Sequence, residues 1–473
     1  MFKSSERMLL AVTASALGCL LISILLGIFG AMYYIPPVAE GMVAKGVSLV
    51  QIRPIHTTFA SAWIFLGGVA CMTKFLADTF GEPTRADRLR FRVQMVCWGL
   101  AGLGILISLS LGVSTGREYL GFHPVFSVLI LTGWLLFAWT FLRRVLPGFW
   151  GRPVYVYMWT AGVLYFIYTF SEGHAWLLPW VRHQPVADIA IQWKSCGTLV
   201  ASFNQIVYGC LIFTGERISG DKHIAQSKLS FSLFGIGLLN SFTNYAHHTY
   251  HLPQSDIIKW VAFLVSMLEI IILVQLFREL TAAIANKRKA APDYDTSAHL
   301  FGVSKKWTFG LLMLALLISV PPLNTFIHGT HVVMAHAMGS ELAIDSYILF
   351  GVFAWMLCQL FPKREVRDEV INAPAVRSTL RWLNVFLVCT VLWLIAGGLT
   401  IAATRYRNLP PPAWMVVYPY WFAFFGLGVA AGLLRLVSLW LPLWLRPSDY
   451  KVWSDDRQIP VRRTDLGKPA TDA

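Results

Sequence analysis

Charge is scarce in this sequence. Only 14% of its 473 residues are Asp, Glu, Lys or Arg, where an ordinary soluble domain has about 25%. The shortage excludes a charged, solvated surface of normal size, and 56% hydrophobic residues take its place. Acid is scarcer than base, 25 Asp and Glu against 39 Lys and Arg, so the net charge is +14. Cysteine motifs are missing too. Cys19, Cys71, Cys97, Cys196, Cys210, Cys358 and Cys389 fall in apolar stretches and form no CxxC. That excludes a zinc ribbon or a thioredoxin-type pair and leaves small buried thiols as the ordinary reading. No repeat or low-complexity tract stands out, so the chain is neither a solenoid nor a string of linkers.

What is abundant is long apolar runs. About twelve recur, at 8–34, 54–79, 91–114, 122–146, 154–178, 187–213, 227–249, 256–285, 307–327, 330–361, 379–403 and 412–442. Roughly 20 such residues cross the hydrocarbon core of a bilayer. The fifth and sixth are interrupted by "SEGHAWLLPW". The first has only Lys3, Glu6 and Arg7 before it and no small-residue cleavage site, so it reads as a retained anchor. The expected fold class is all-α: one polytopic membrane domain of about twelve transmembrane helices over 1–446, then a polar tail over 447–473.

The positive charge sorts by connection. Arg85, Arg88, Arg90 and Arg92 share one, Arg143, Arg144 and Arg152 the next but one, then Arg217, Lys222 and Lys228. Lys287, Arg288, Lys289, Lys305 and Lys306 follow, then Lys363, Arg364, Arg367, Arg377 and Arg381. By the positive-inside rule these connections and both termini are cytoplasmic, which needs an even number of spans. A multi-pass protein of a bacterial-type inner membrane is expected. Alternation between loops fits topology better than nucleic-acid binding, so the bilayer is the expected partner and nucleic acid is not.

Topology gives the histidines a place. His56 opens the second span, His247 and His248 close the seventh in "NYAHHTYHLP", and His336 lies about two turns into the tenth. All four fall at a similar depth, toward the extracytoplasmic side. Imidazole is the commonest metal ligand, and polar groups inside a membrane mark function. A metal or haem site is the leading reading of the set; interhelical hydrogen bonds are the alternative for any one of them.

These residues carry a family resemblance. "RPIHTTF" on span two, "HH" ending span seven and "HGTHVVMAHAMG" entering span ten resemble the catalytic subunit (subunit I) of haem-copper oxidases, over nearly the whole chain. Within that superfamily the sequence is most similar to nitric oxide reductase large subunits and C-family cytochrome oxidases. "TGREYLGF" resembles the segment whose acidic residue binds calcium beside the haem propionates, Glu118 being the matching position. "DIAIQWKSCG" resembles a D-x-x-x-Q-W-W-x-G-H run. "SMLEII" places Glu269 where the reductases carry a glutamate beside the non-haem metal. The resemblance implies a high-spin haem b on His336, a non-haem iron or copper on His247 and His248, and a low-spin haem b on His56. His336 and position 338 lie about 200° apart on a helix, so one helix can face two haems.

Two departures stand out. Position 338, a histidine in the family, is Met338; a thioether is a legitimate haem ligand and raises the potential, although methionine also fills core gaps. The third histidine of the non-haem metal, about 50 residues before the pair, is replaced by Gly197 beside Cys196. Cys196, Asn204, Glu269 or His251 could complete that shell, or the second metal is lacking. Ser241 stands where C-family oxidases carry a tyrosine.

The implied chemistry is reduction of nitric oxide to nitrous oxide, with Glu269, His336, His247 and His248 at the catalytic centre. Burial suits Glu269 to proton handling, and Glu341 and Asp345 could line a proton path. Arg53, Arg405 and Arg407 could meet haem propionates; snorkelling to the interface is their ordinary role. His123, His174, His183, His251, His328 and His331 fall near the outer surface. The chain has no CxxCH motif, so electrons are expected from a partner subunit with c-type haem or dinuclear copper on the extracytoplasmic face. Oxygen reduction by a divergent oxidase and a non-catalytic haem protein, a gas sensor or assembly factor, are the other readings.

Overall fold

The computed structural model describes residues 2–117, 119–243, 249–250, 252–253, 255–288 and 295–450. Glu118, His247, His248, His251 and most of the tail lie outside them. Hydrocarbon offers backbone N–H and C=O groups no water, so each must be bonded within its own segment, and a helix does that. The described residues accordingly form helices joined by short connections, with no strand among them.

Twelve helices build the bundle, here α1 Ser4–Met32, α2 Leu49–Phe80, α3 Arg85–Ser110, α4 Pro124–Val145, α5 Val154–Glu172 and α6 Pro185–Ser219. They continue as α7 Lys228–Thr243, α8 Asp256–Arg288, α9 Thr296–Ser319, α10 His331–Leu360, α11 Pro374–Arg407 and α12 Tyr418–Trp440. Each matches one expected span. Ten are long and apolar enough to cross a membrane on those grounds alone; α5 and α7 make up the twelve. Hydroxyl side chains inside them bond back to their own helix, as Thr13 Oγ1 does to the Leu9 carbonyl at 2.9 Å and Thr160 Oγ1 to Val156 at 2.8 Å.

Several boundaries differ from the apolar pattern, for local reasons. α2 begins at Leu49, ahead of Pro54, because Ser48 N–H donates to Gln51 Oε1 at 2.7 Å and starts the helix early. α9 begins at Thr296, where the Asp295 side chain caps it by accepting from Ala298 N–H at 3.2 Å. α5 stops at Glu172 instead of running to 178, and "SEGHAWLLPW" becomes the connection, with short turns at Ala175–Leu177 and Pro179–Arg182. α6 runs on to Ser219 and ends at Gly220, whose φ of 73° is left-handed. Apolar windows find the part of a helix inside hydrocarbon; caps and polar turns carry it beyond.

Burial sorts the helices into a centre and a rim. The apolar windows of α2, α6 and α10 are 78%, 89% and 83% buried, whereas those of α3, α4, α8 and α9 are 22–33% buried. The central three therefore carry the core, and the rim helices turn their apolar faces outward. Trp63 on α2 locks the centre: its Nε1 donates to Ser346 Oγ at 2.9 Å, and its ring meets Phe350 and Phe353 of α10. The odd-numbered connections gather on one face of the bundle. Arg117 of the α3–α4 connection pairs with Asp188 at the start of α6 (2.7 Å), and His331 at the start of α10 bonds Tyr418 at the start of α12 (2.7 Å). The N-terminus and the even connections lie on the other face.

Candidate functional site

His56 sits in the second turn of α2, against α1. Its Nδ1 is 2.8 Å from the Ser23 carbonyl, an acceptor only, so Nδ1 carries the proton. Ser23 Oγ also donates to the His56 carbonyl at 3.2 Å. Nε2 is left unprotonated with a lone pair able to bind a metal, the tautomer that a carbonyl partner fixes in histidines that ligate metals. Gly27 makes the fit possible: a Cβ there would stand 3.0 Å from His56 Cε1 and 3.1 Å from Nδ1.

His336 and Met338 lie on the first, α-helical part of α10, His331–Gly339, so the two side chains leave opposite sides of the helix. His336 Nδ1 is buried with no hydrogen-bond partner among the described residues. A buried polar atom without a partner is costly, and a ligand bond to the ring is one way to offset that. Met338 is partly buried against the core.

Helices α2 and α10 meet only over part of their length. Their contact is made by Trp63, Gly67, Ser346, Leu349, Phe350 and Phe353. The His331–Gly339 stretch instead packs mainly on α9 and α11. α11 comes close through Gly398, where a Cβ would stand 2.3 Å from Val332 N. The two central helices thus diverge toward the face that carries His56, His336 and Met338. Two imidazoles and a thioether around that divergence are donors that fit haem iron.

The second metal is different. His247 and His248 lie outside the described residues, and among the described ones no three His, Cys, Asp or Glu side chains converge on one point. Cys196 and Gly197 are buried on α6, where Thr198 Oγ1 donates to the Ser241 carbonyl at 3.1 Å. That bond sets this turn of α6 beside the end of α7. The described residues alone do not make a fit for this ion.

Glu269 projects from α8 toward α7. Asn240 Nδ2 donates to Glu269 Oε2, and Ser266 Oγ donates to Asn240 Oδ1 at 3.1 Å. Asn240 is a partner that spacing arguments missed; a lone amide in an apolar span was the available signal. Tyr208 is a second, buried on α6 within electrostatic reach of both Asp345 and Glu269. Asp345 is 4% exposed, and its Oδ1 has no hydrogen-bond partner among the described residues. Glu341 and Asp345 sit on a π-helical turn, Ser340–Ser346, in the middle of α10, a departure from regular helix that often marks functional sites.

At the odd-connection face, Arg405 Nη1 donates to the His328 carbonyl at 3.3 Å. Arg53 and Arg405 are exposed. His331 stacks on Tyr418 and meets Tyr34 edge-on, so it belongs to an aromatic cluster. Burial pushes the Tyr34 hydroxyl above the ordinary phenol range, and the charge on nearby Arg53 pulls it partly back. His174 bonds Ser127 Oγ at 2.7 Å and the Phe170 carbonyl at 2.6 Å, which makes it a bundle fastener.

Residues 7–451 match the family described as Cytochrome C and Quinol oxidase polypeptide I. No curated protein sequence matches. Among solved structures, a chain of a haem-copper terminal oxidase dimer determined by cryo-EM is similar in fold. It shares 12% identity at a TM-score of 0.74, over 96% of this chain and 85% of that one.

Proposed function

The chain belongs to the family of cytochrome c and quinol oxidase polypeptide I, and on that footing we propose that it reduces nitric oxide to nitrous oxide as the catalytic subunit of a respiratory complex. Family membership places it among membrane oxidoreductases; the choice of nitric oxide rests on Glu269, a carboxyl inside an apolar helix held by Asn240 from the neighbouring one. In this reading His56 and Met338 hold a low-spin haem b, His336 a high-spin haem b, and His247 and His248 a non-haem iron or copper. Bound there, the haems would supply electrons to the substrate.

The chain's own residues supply position and protons. Two NO, two electrons and two protons give one N2O and one water. The Ser23 carbonyl orients the His56 ring. Asn240 occupies Glu269 Oε2, which leaves Oε1 to take up and release a proton. Glu341 and Asp345 bring protons along α10, and the Tyr208 hydroxyl on α6 bridges toward Glu269. Arg53 and Arg405 would meet haem propionates, and Glu118 would hold a calcium ion beside them. Electrons come from a c-type haem or dinuclear copper subunit on the odd-connection face, which the charge pattern makes extracytoplasmic.

Glu269→Gln in the purified complex tests the reading. Loss of a proton-handling carboxyl costs about a hundredfold or more in turnover, so NO consumption should fall by that order while both haem spectra persist. Undiminished NO consumption would remove Glu269 from the mechanism, and oxygen uptake without NO uptake would replace the substrate.

A further inference from the structure

A groove opens at the even-connection face, far from the haem-facing histidines. It lies between the N-terminal ends of α1 and α3 and the C-terminal ends of α2 and α4. The cavity itself is small, about 40 Å³, and partly open to the outside. Met8, Leu76, Phe91 and Phe137 give it apolar walls; Asp87, Gln94 and Arg144 give it a polar end.

The polar end carries surplus positive charge. Asp87 is 1% exposed and receives three guanidinium groups: Arg90 Nη2 at 2.5 Å, Arg143 Nη2 at 2.9 Å and Arg144 Nη2 at 2.5 Å. One carboxylate neutralises one of them. The acid at the rim, Glu82, is occupied by Ser5 N–H and Oγ at 3.1 and 2.5 Å. Arg143 and Arg144 each make one hydrogen bond here, with Asp87, so most of their five N–H donors are left for another acceptor. An independent observation points the same way. Gln94 is 3% exposed, lines the groove, and its Nε2 donor has no partner among the described residues. Gln94 lies about 10 Å along α3 from Asp87, so the groove offers oxygen atoms two separate sets of donors, surplus guanidinium at its mouth and an unpaired amide N–H deeper in.

The surroundings say what carries those oxygens. On α3, Leu89, Val96, Leu100 and Leu103 are 55–61% exposed along the face that turns outward, and on α4 Trp139 is 62% exposed near the arginines. Apolar residues on such a rim with an aromatic at its edge describe a lipid-facing surface at headgroup level. We propose that the mouth of this groove binds one anionic phospholipid, its phosphate held by Arg143 and Arg144, a glycerol-ester carbonyl reaching Gln94 Nε2, and its acyl chains against the outward faces of α3 and α4 that carry Leu89 and Trp139. Guanidinium matches phosphate oxygens in a forked geometry. The bound lipid completes the Asp87 cluster and ties α3 to α4 at the membrane surface.

Native mass spectrometry of the full-length complex, exchanged into phosphatidylglycerol or phosphatidylcholine, tests this with Gln94→Leu, Arg143→Gln and Arg143→Lys. Gln94 Nε2 bonds nothing among the described residues and the Arg143 side chain is 41% exposed, so these changes leave the fold intact. The wild type should retain one phosphatidylglycerol. Gln94→Leu and Arg143→Gln should each weaken retention about tenfold, the worth of one hydrogen bond, and Arg143→Lys should restore part of it. Equal retention of phosphatidylcholine, unchanged retention in both variants, or complete displacement by inorganic phosphate would overturn the proposal.

Discussion

A histidine is prepared as a haem ligand by what holds its other nitrogen. His56 has the arrangement such a role needs: the Ser23 carbonyl fixes its Nδ1 proton, and Gly27 gives its ring a flat floor. Gly27→Val would drive side-chain carbon into the ring, where even a Cβ stands 3.0 Å away. The low-spin haem should be lost from the optical spectrum of that variant while the fold persists; an unaltered spectrum would detach His56 from the haem. Met338 makes a second prediction. A Met338→His variant should lose any sulfur-to-iron absorption and lower the midpoint potential of that haem, because thioether ligation favours the reduced form. An unmoved potential would leave Met338 as packing.

Helices explain what the residues cannot. α10 is helical on both sides of a π-turn, and Ser346 braces that turn twice. Its Oγ donates to the Glu341 carbonyl at 2.7 Å and accepts from Trp63 Nε1 at 2.9 Å. Ser346→Ala strands a buried indole N–H, which costs about 1–3 kcal/mol. It should lower the thermal midpoint, and, if the turn positions Asp345, slow NO turnover as well. Unchanged stability would mean the turn holds itself. The π-turn was not legible in the sequence, because "SELAIDS" has no glycine or proline to announce it. Glu341 and Asp345 are four residues apart, a spacing that in regular helix would put them on one face. Other elements were easily read. All twelve spans came from apolar runs alone, since hydrocarbon leaves the backbone one choice; the ends of α2, α5 and α9 did not, since caps such as Ser48–Gln51 and Asp295 act outside that solvent. Counting spans puts His56 near the start of the second helix and His336 near the start of the tenth, where the structure has them; His247 and His248 lie outside the described residues. Asn240 and Tyr208 escaped, because contacts between helices leave no spacing rule along one chain.

For the whole molecule, three buried helices are ringed by lipid-facing ones, and the odd and even connections lie on opposite faces. The surplus of arginine and lysine on the even face predicts both termini in the cytoplasm. Reporter fusions at Met1 and Ala473 should both be active only as cytoplasmic reporters; opposite signals would require an odd number of spans. Electron supply then has to meet the other face, above the divergence of α2 and α10. The most direct test of the whole account is gas consumption by the purified complex given a reduced electron donor, followed by NO and O2 electrodes with its haem and metal content measured alongside. The account predicts two haems, a non-haem metal and NO uptake with one N2O formed per two NO. Oxygen uptake with no NO uptake, or neither gas consumed by a complex with no second metal, would contradict it.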